Sequence, residues 1–395
     1  MLVTGLLMHA VSAARQAAFD CLNAVENGAF ASDALLDHSR ALNSRDASLA
    51  AQIVFGTLRH QAQLDFLIRH YSGRPAEVLD PAVRLALRTA IFQLRYLDRV
   101  PPHAAVDEAV EFTKKHRRAA ANLVNAVLRK VDRMPVTWPD LSTELSCPAW
   151  MLDRWSGHFG PVEARAIALA ALEEPGRYIR IPPGCPAPGG LELEATPVEG
   201  CFRVLSGTPP GIRLHDIGSQ AIIPLLDLRP GLAYLDVCAA PGNKTAEALE
   251  TRLSLAVACD ISLKRLREMP ALCPRVNLDA RHALPFPRQF DRIFVDAPCS
   301  GTGTLARNPE IKWRVQPQDF QRFNGNQVRM VANATELLAP GGKLVYATCS
   351  LEKEENEEVV SAALAAMPGL FLARSVWRLP GRDEGDGFYA ALLCR

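Results

Sequence analysis

Along these 395 residues the spacing of apolar positions changes character twice. From about residue 10 to residue 134, Leu, Val, Ile, Ala and Phe return every three or four positions with almost no strand-like alternation. That period predicts five or six short helices around one core. The stretch DPAVRLALRTAIFQLRYLD shows the logic: Asp80 can cap, Pro81 suits the first helical position, and Leu85, Leu87, Ile91, Leu94 and Leu97 make a broad apolar stripe. Gly28 and Gly73 follow helical runs where a left-handed terminal residue is wanted, and VPPH at 100–103 separates two helices. Residues 135–215 are mixed, with a helical pair around WMLDRWSGHFGPVEARAIALAALEE and then PPGCPAPGG at 182–190, whose proline and glycine density marks a loop. From 232 onward short β runs (LAYLDVCA, LAVACD, VNLDA, FDRIFVDAP, GGKLVYATCS) alternate with helical stretches such as KTAEALETRL, QRFNGNQVRMVANATELL and EENEEVVSAALAAM. This alternation predicts a doubly wound, mostly parallel sheet. The shifts divide the chain into a helical domain at 1–138, a mixed α/β linker subdomain at 139–215 and an α/β domain at 216–395.

Composition adds exclusions. With 48% hydrophobic and 22% charged residues the chain reads as an ordinary soluble globular protein. Its net charge of +1 neither demands nor excludes a nucleic-acid partner. The distribution is less neutral: residues 1–135 carry 17 Lys and Arg against 13 Asp and Glu, and KKHRR at 114–118 is the densest basic point. Of the 44 basic residues 36 are Arg, whose planar fork suits phosphate. Ten scattered cysteines with no CxxC pair suggest neither a disulfide framework nor a structural metal, so a reduced, cytoplasmic chain is expected. The start, MLVTGLLMHAVSAARQ, lacks a basic region ahead of its apolar patch and a cleavage site, so export is not expected, and Met8 stands as an alternative start to Met1. No stretch approaches ~18 uninterrupted apolar residues, so no membrane span is expected.

Candidate chemistry gathers at strand ends, where open α/β sheets bind ligands. LDVCAAPGNKT puts Asp236 and a turn of small residues ahead of a helix, a geometry that lets backbone approach a nucleotide-like ligand. Asp260 ends the next strand, where an acid can accept hydrogen bonds from ribose hydroxyls, and Asp279 ends the third. FDRIFVDAPCSGTGT offers Asp296 and Cys299, and YATCSLEKEENEE ends a strand on Cys349. In that last stretch Ser350 is expected to cap a helix carrying Glu352 and Glu354 in its first turn, which makes the acidic run mostly a solvated face. Cys21, Cys259, Cys273 and Cys394 read as small buried hydrophobes. Cys299 and Cys349 differ: both occur as Cys-Ser at the ligand-binding edge, beside a turn or helix start that would favour a thiolate, and the pair invites covalent chemistry.

LDVCAAPGNKT, DAPCSGTGTLARNPEIKW and LVYATCSLEKEENEEVV resemble the S-adenosylmethionine, nucleophile-assisting and nucleophile motifs of the RNA 5-methylcytosine methyltransferases. The first third, with GTLR, LDP, LRYLDRVPPHAAVDEAVE and ANLVNAVLRK, resembles the NusB-like RNA-binding domain, and the combination is similar to the Sun/RsmB type of 16S rRNA methyltransferase over nearly the whole chain. The resemblance implies an all-helical NusB-like domain followed by a Rossmann-like methyltransferase. It implies that Cys349 adds to C6 of a flipped cytosine, that Cys299 assists release, and that Asp296 contacts the cytosine edge. Cys238, Ala239, Ala240, Pro241, Gly242, Asn243 and Lys244, with Asp260, Asp279 and Asp296, would hold the cofactor, and Lys244 would also serve the chemistry. The expected partner is 16S rRNA, with no metal and no membrane, and the chain is taken as a monomer. Asn243 stands where the family commonly has a second glycine, and asparagine's tolerance of positive φ is expected to preserve the turn. Three other readings differ in what they need. A tRNA-directed enzyme would generally lack the NusB-like third, a non-catalytic assembly factor could lose either cysteine, and a nicotinamide dehydrogenase would want GxGxxG.

Overall fold

The N-terminal periodicity resolves into helices Ala13–Glu26, Ala31–Ser39, Ser44–Arg59, Gln61–Ser72, Pro81–Tyr96, Pro102–Arg117 and Ala121–Leu128 in a computed structural model that describes residues 11–208 and 211–395. The proposed alternative start at Met8 lies outside the described residues. Among the described residues seven α-helices stand where five or six were expected. One extra break falls at His60, which leaves helical geometry (φ −98°, ψ 16°) without a proline or glycine to announce it. Asp80 accepts a hydrogen bond from Ala82 N ahead of Pro81, and Gly73 closes its helix at φ 72°, as the residues suggest. Leu87 and Ile91 are fully buried with Leu64, Leu67 and Ile68, each side chain worth about 1.5–3 kcal/mol on leaving water.

Two units divide the chain. One contains the residues up to 173 together with 306–313, the other 174–305 and 314–395. The segment ARNPEIKW at 306–313 therefore packs with the helices although its sequence neighbours belong to the second unit. Arg59 donates through Nε and Nη2 to the Ala306 carbonyl (2.9 and 2.7 Å), and Trp313 Nε1 donates to the Leu58 carbonyl. Lys312 is buried, donates to the carbonyls of Arg59 and Ser146, and is lowered by that burial to about 8.

In the second unit β1 (Tyr178–Arg180), β2 (Glu192–Ala195) and β3 (Cys201–Ser206) form a small antiparallel sheet in the order β1-β3-β2, and 182–190 is loop as its prolines and glycines require. The main sheet is built from β4 (Ala233–Asp236), β5 (Leu255–Asp260), β6 (Arg275–Asn277), β7 (Phe290–Asp296), β8 (Leu338–Thr348), β9 (Phe371–Arg378) and β10 (Phe388–Cys394). Its order is β6-β5-β4-β7-β8-β10-β9, parallel from β6 to β8, with β10 antiparallel to both β8 and β9. The last two strands were not anticipated. β9 lies at an edge with most of its side chains exposed, and charged residues there mask the strand pattern. Alternation along the central strands sends Leu235, Ile293, Leu344 and Tyr346 to one face, under helix Asp319–Glu336, and Tyr234, Phe294, Val345 and Ala347 to the other. No helix among the described residues is long and apolar enough to cross a membrane.

Candidate active site

β4 runs first in the sheet and lies at the centre of its five parallel strands, with β5 and β6 on one side and β7 and β8, followed by β10 and β9, on the other. The connections leaving β4 and β7 therefore diverge, and a crevice opens at their carboxyl ends. Asp236 ends β4 fully buried, where its Oδ2 accepts from Thr245 Oγ1 (2.6 Å) and Tyr234 OH (3.3 Å), and burial pushes its carboxyl up to about 7. The turn that follows is built from small residues, Ala239 and Ala240 being buried and Gly242 holding φ 101°. A Cβ at Gly242 would meet only the flexible Met269 side chain, at 2.9 Å from its Cε, so it is the angle that requires glycine. Burial raises the Cys238 thiol well above its ordinary value.

Asp260 reaches this turn from the end of β5, accepting from Ala240 N (3.1 Å) through one oxygen and from Ser262 N (2.7 Å) through the other. Two arginines that sequence reading missed hold the turn's carbonyls: Arg213 Nη1 donates to Pro241 O (2.6 Å) and Arg265 Nη2 to Ala240 O (2.8 Å). Asn243 does not use positive φ. It is the first residue of helix Asn243–Ala248, and its Nδ2 donates to Leu214 O (3.0 Å). A cavity of about 120 Å³ is lined by Asp236, the 238–244 turn, Ser219, Phe294 and Asp296. Neither Asp260 nor Asp279 is in that lining; Asp279 lies two residues past β6 and is gripped by Arg281 (2.6 Å), whose hydrogen bonds hold its carboxyl at about 2.

Lys244, in the helix after the turn, places Nζ 2.6 Å from Asp296 Oδ2 at the end of β7. Burial alone would lower its ammonium, but the Asp296 carboxylate outweighs that and pushes it up. Beyond Asp296 the two cysteine segments run side by side because β7 and β8 are parallel neighbours with Asp296 paired to Ala347. Ala297 N donates to Ala347 O (2.9 Å) and Gly303 N to Cys349 O (2.8 Å). Cys299 Sγ and Cys349 Sγ stand 3.4 Å apart.

Two expectations are corrected here. The local setting was expected to favour a Cys299 thiolate, yet the Cys349 hydrogen bond and then burial push the Cys299 thiol well above its ordinary value, because two sulfurs in contact cannot both carry charge cheaply. The acidic run is not mostly solvated. Glu352 and Glu355 are buried, Ser350 caps no helix, and the following helix starts only at Glu357. The burial of Glu355 had no local sign, since its donors include Ser300 on the Cys299 loop and Gln327 of helix Asp319–Glu336. Of the four cysteines read as buried hydrophobes, Cys21 and Cys259 are buried while Cys273 and Cys394 are partly exposed.

A mostly parallel seven-stranded sheet whose crevice lies at the β4 and β7 ends is the Rossmann-like methyltransferase fold. Residues 223–394 match the 16S rRNA methyltransferase RsmB/F family and residues 12–133 the NusB family. The chain is 31% identical over 412 residues to ribosomal RNA small subunit methyltransferase B of Klebsiella pneumoniae (strain 342), covering 94% of this chain and 95% of that one. It is 30% identical over 370 residues to the probable ribosomal RNA small subunit methyltransferase B of Bacillus subtilis (strain 168), covering 84% and 82%. The crystal structure of PH0851 shares the fold at a TM-score of 0.80 and 21% identity, over 97% of this chain and 98% of that one. This chain belongs to the RsmB/F family of S-adenosylmethionine-dependent RNA methyltransferases, with a NusB domain ahead of the catalytic fold.

Proposed function

We propose that this protein methylates C5 of a cytosine in small-subunit ribosomal RNA through a covalent bond between Cys349 and C6. The observation that carries the reading is the 3.4 Å approach of Cys299 and Cys349, with the Lys244–Asp296 pair at the end of the same strand that leads to Cys299. C5 of cytosine is too weak a nucleophile to take a methyl group unaided, so a covalent activator is needed, and a transferase acting on an exocyclic amine would have no use for two thiols. S-adenosylmethionine, when bound, supplies the electrophilic methyl.

The residues present fit that cofactor. Ala239, Ala240 and Gly242 leave backbone open to close approach, and the Asp260 carboxylate braces the turn from β5. Residues 238–244 would hold its methionine part and Asp260 its ribose, with Asp279 the weaker candidate for the adenine side, engaged as it is with Arg281. Cys349 as thiolate adds to C6, and the C5–C6 π pair makes C5 nucleophilic while negative character spreads over the ring. Asp296 contacts the cytosine edge, and the proton held between it and Lys244 offsets that charge. After C5 is methylated, the base form of Cys299 takes the C5 proton, the C5–C6 double bond re-forms, and Cys349 leaves with its electron pair. A thiol pushed up by its neighbour gives, once deprotonated, the stronger base for this step.

Cys299→Ala protein mixed with S-adenosylmethionine and unmodified small-subunit rRNA should leave a covalent protein–RNA band on a denaturing gel. The band should vanish when Cys349→Ala is added, and be absent with tRNA. No band, with wild-type protein methylating the same RNA, would show that the two cysteines do not divide the work this way.

A further inference from the structure

One buried carboxylate beside the cysteines has no part in the steps above. Glu355 is fully buried and accepts four hydrogen bonds. Ser300 N (2.9 Å) and Gln327 Nε2 (3.1 Å) donate to Oε1, while the hydroxyls of Ser300 and Ser350 (2.5 Å each) donate to Oε2. Ser300 and Ser350 are the residues that follow Cys299 and Cys349. Gln327 also donates to Pro298 O (3.0 Å), the residue before Cys299, and Tyr346 of β8 donates to the Glu355 carbonyl (2.5 Å). Burial raises this carboxyl and the donors from Ser300, Ser350 and Gln327 oppose the rise. A residue needed only to fill space would not carry a carboxylate here, because burying one costs several kcal/mol before its partners repay it. Four donors converging from three segments need four acceptor positions, which a carboxylate has and an amide has not.

We propose that Glu355 is a positioning residue that sets the separation of Cys299 and Cys349 by tying both Cys-Ser loops to one carboxylate. The proposal rests on the cysteine chemistry proposed above, but the position it assigns can be read without that chemistry. Diamide, an azo oxidant, takes two electrons and two protons from a thiol pair, giving a disulfide and the hydrazine. The rate of the Cys299–Cys349 disulfide, followed by peptide mapping, reports how well the sulfurs are held together. In Glu355→Gln the amide hydrogens meet donor hydroxyls, and the disulfide should form at least about tenfold more slowly, since ~1 Å of misplacement can cost up to about 100-fold. S-adenosylmethionine affinity and KM for RNA should stay within about twofold while kcat falls at least about tenfold.

A Glu355→Gln protein that oxidises this pair at the wild-type rate overturns the proposal, whatever its methyl transfer. A wild type that transfers no methyl, yet whose disulfide rate depends on Glu355, sinks the proposed function and leaves the positioning role standing. If Glu355→Gln precipitates, Ser300→Ala and Ser350→Ala each delete one hydroxyl contact and carry the same comparison. Wild-type oxidation rates in both would also overturn it.

Discussion

Three backbone segments meet at Gly303, and adding one methyl group there should disturb all of them. Gly303 N donates to Cys349 O (2.8 Å) and its carbonyl accepts from Gly387 N (2.7 Å), so the Cys299 loop, the end of β8 and the approach to β10 are laced through one residue. A Cβ at Gly303 would stand 2.4 Å from Gly387 O and 2.8 Å from both Cys349 O and Gly387 C. Ordinary contact begins at 3.4 Å, so about 1 Å must be found, and every neighbour is backbone with no rotamer to turn. Overpacking of this kind costs about 1–3 kcal/mol, and loosening one of the two hydrogen bonds adds about 1 kcal/mol. For a unit of this size Gly303→Ala should lower Tm by roughly 5–15 °C. A displacement of ~1 Å at the carbonyl of Cys349 should slow methyl transfer about 100-fold, equivalent to ~2.7 kcal/mol in the barrier. Calorimetry and single-turnover transfer of a tritiated methyl group measure the two effects. Gly325→Ala is the control: it lies in helix Asp319–Glu336 with open space around its Cβ position, and should stabilise by ~0.5–1 kcal/mol. A Gly303→Ala protein with wild-type Tm and transfer within about threefold would refute the packing argument.

Lys244→Met leaves the Asp296 carboxylate without its 2.6 Å partner in a partly buried site, so stability should fall by about 2 kcal/mol in urea titrations and transfer by more than about tenfold. Unchanged transfer in that variant would remove Lys244 from the chemistry. His60 makes the helical unit acid-sensitive. Burial, with Tyr96 stacked at 4.4 Å, holds its imidazole down at about 4, whereas in the unfolded chain it takes a proton near its ordinary ~6.5. The neutral form's stability is complete above ~6.5 and is lost as pH falls from there towards 4, by on the order of 3 kcal/mol at most. His60→Gln should flatten that part of the stability curve, and an equally steep decline in the variant would assign the acid sensitivity elsewhere.

Local periodicity and turn chemistry determined much of this protein. The helical first third, the Asp80–Pro81 helix start, the loop at 182–190 and the strands ending at Asp236, Asp260 and Asp296 are all written in neighbouring residues, because helices and strands repeat over a few positions and caps act within one turn. The motifs around Cys299 and Cys349 placed both at strand ends for the same reason. Partnership was decided elsewhere. Nothing in FYAALLC says that β10 inserts between β8 and β9, nothing in ARNPEIKW says that it packs with the helices, and no local signal separates buried Glu355 from exposed Glu358. The Cys299 thiol was read in the wrong direction because its protonation depends on a sulfur 50 residues away in sequence and 3.4 Å away in space. Charge, burial and hydrogen-bond satisfaction are properties of the assembled surroundings, which exist only once β7 and β8 lie side by side.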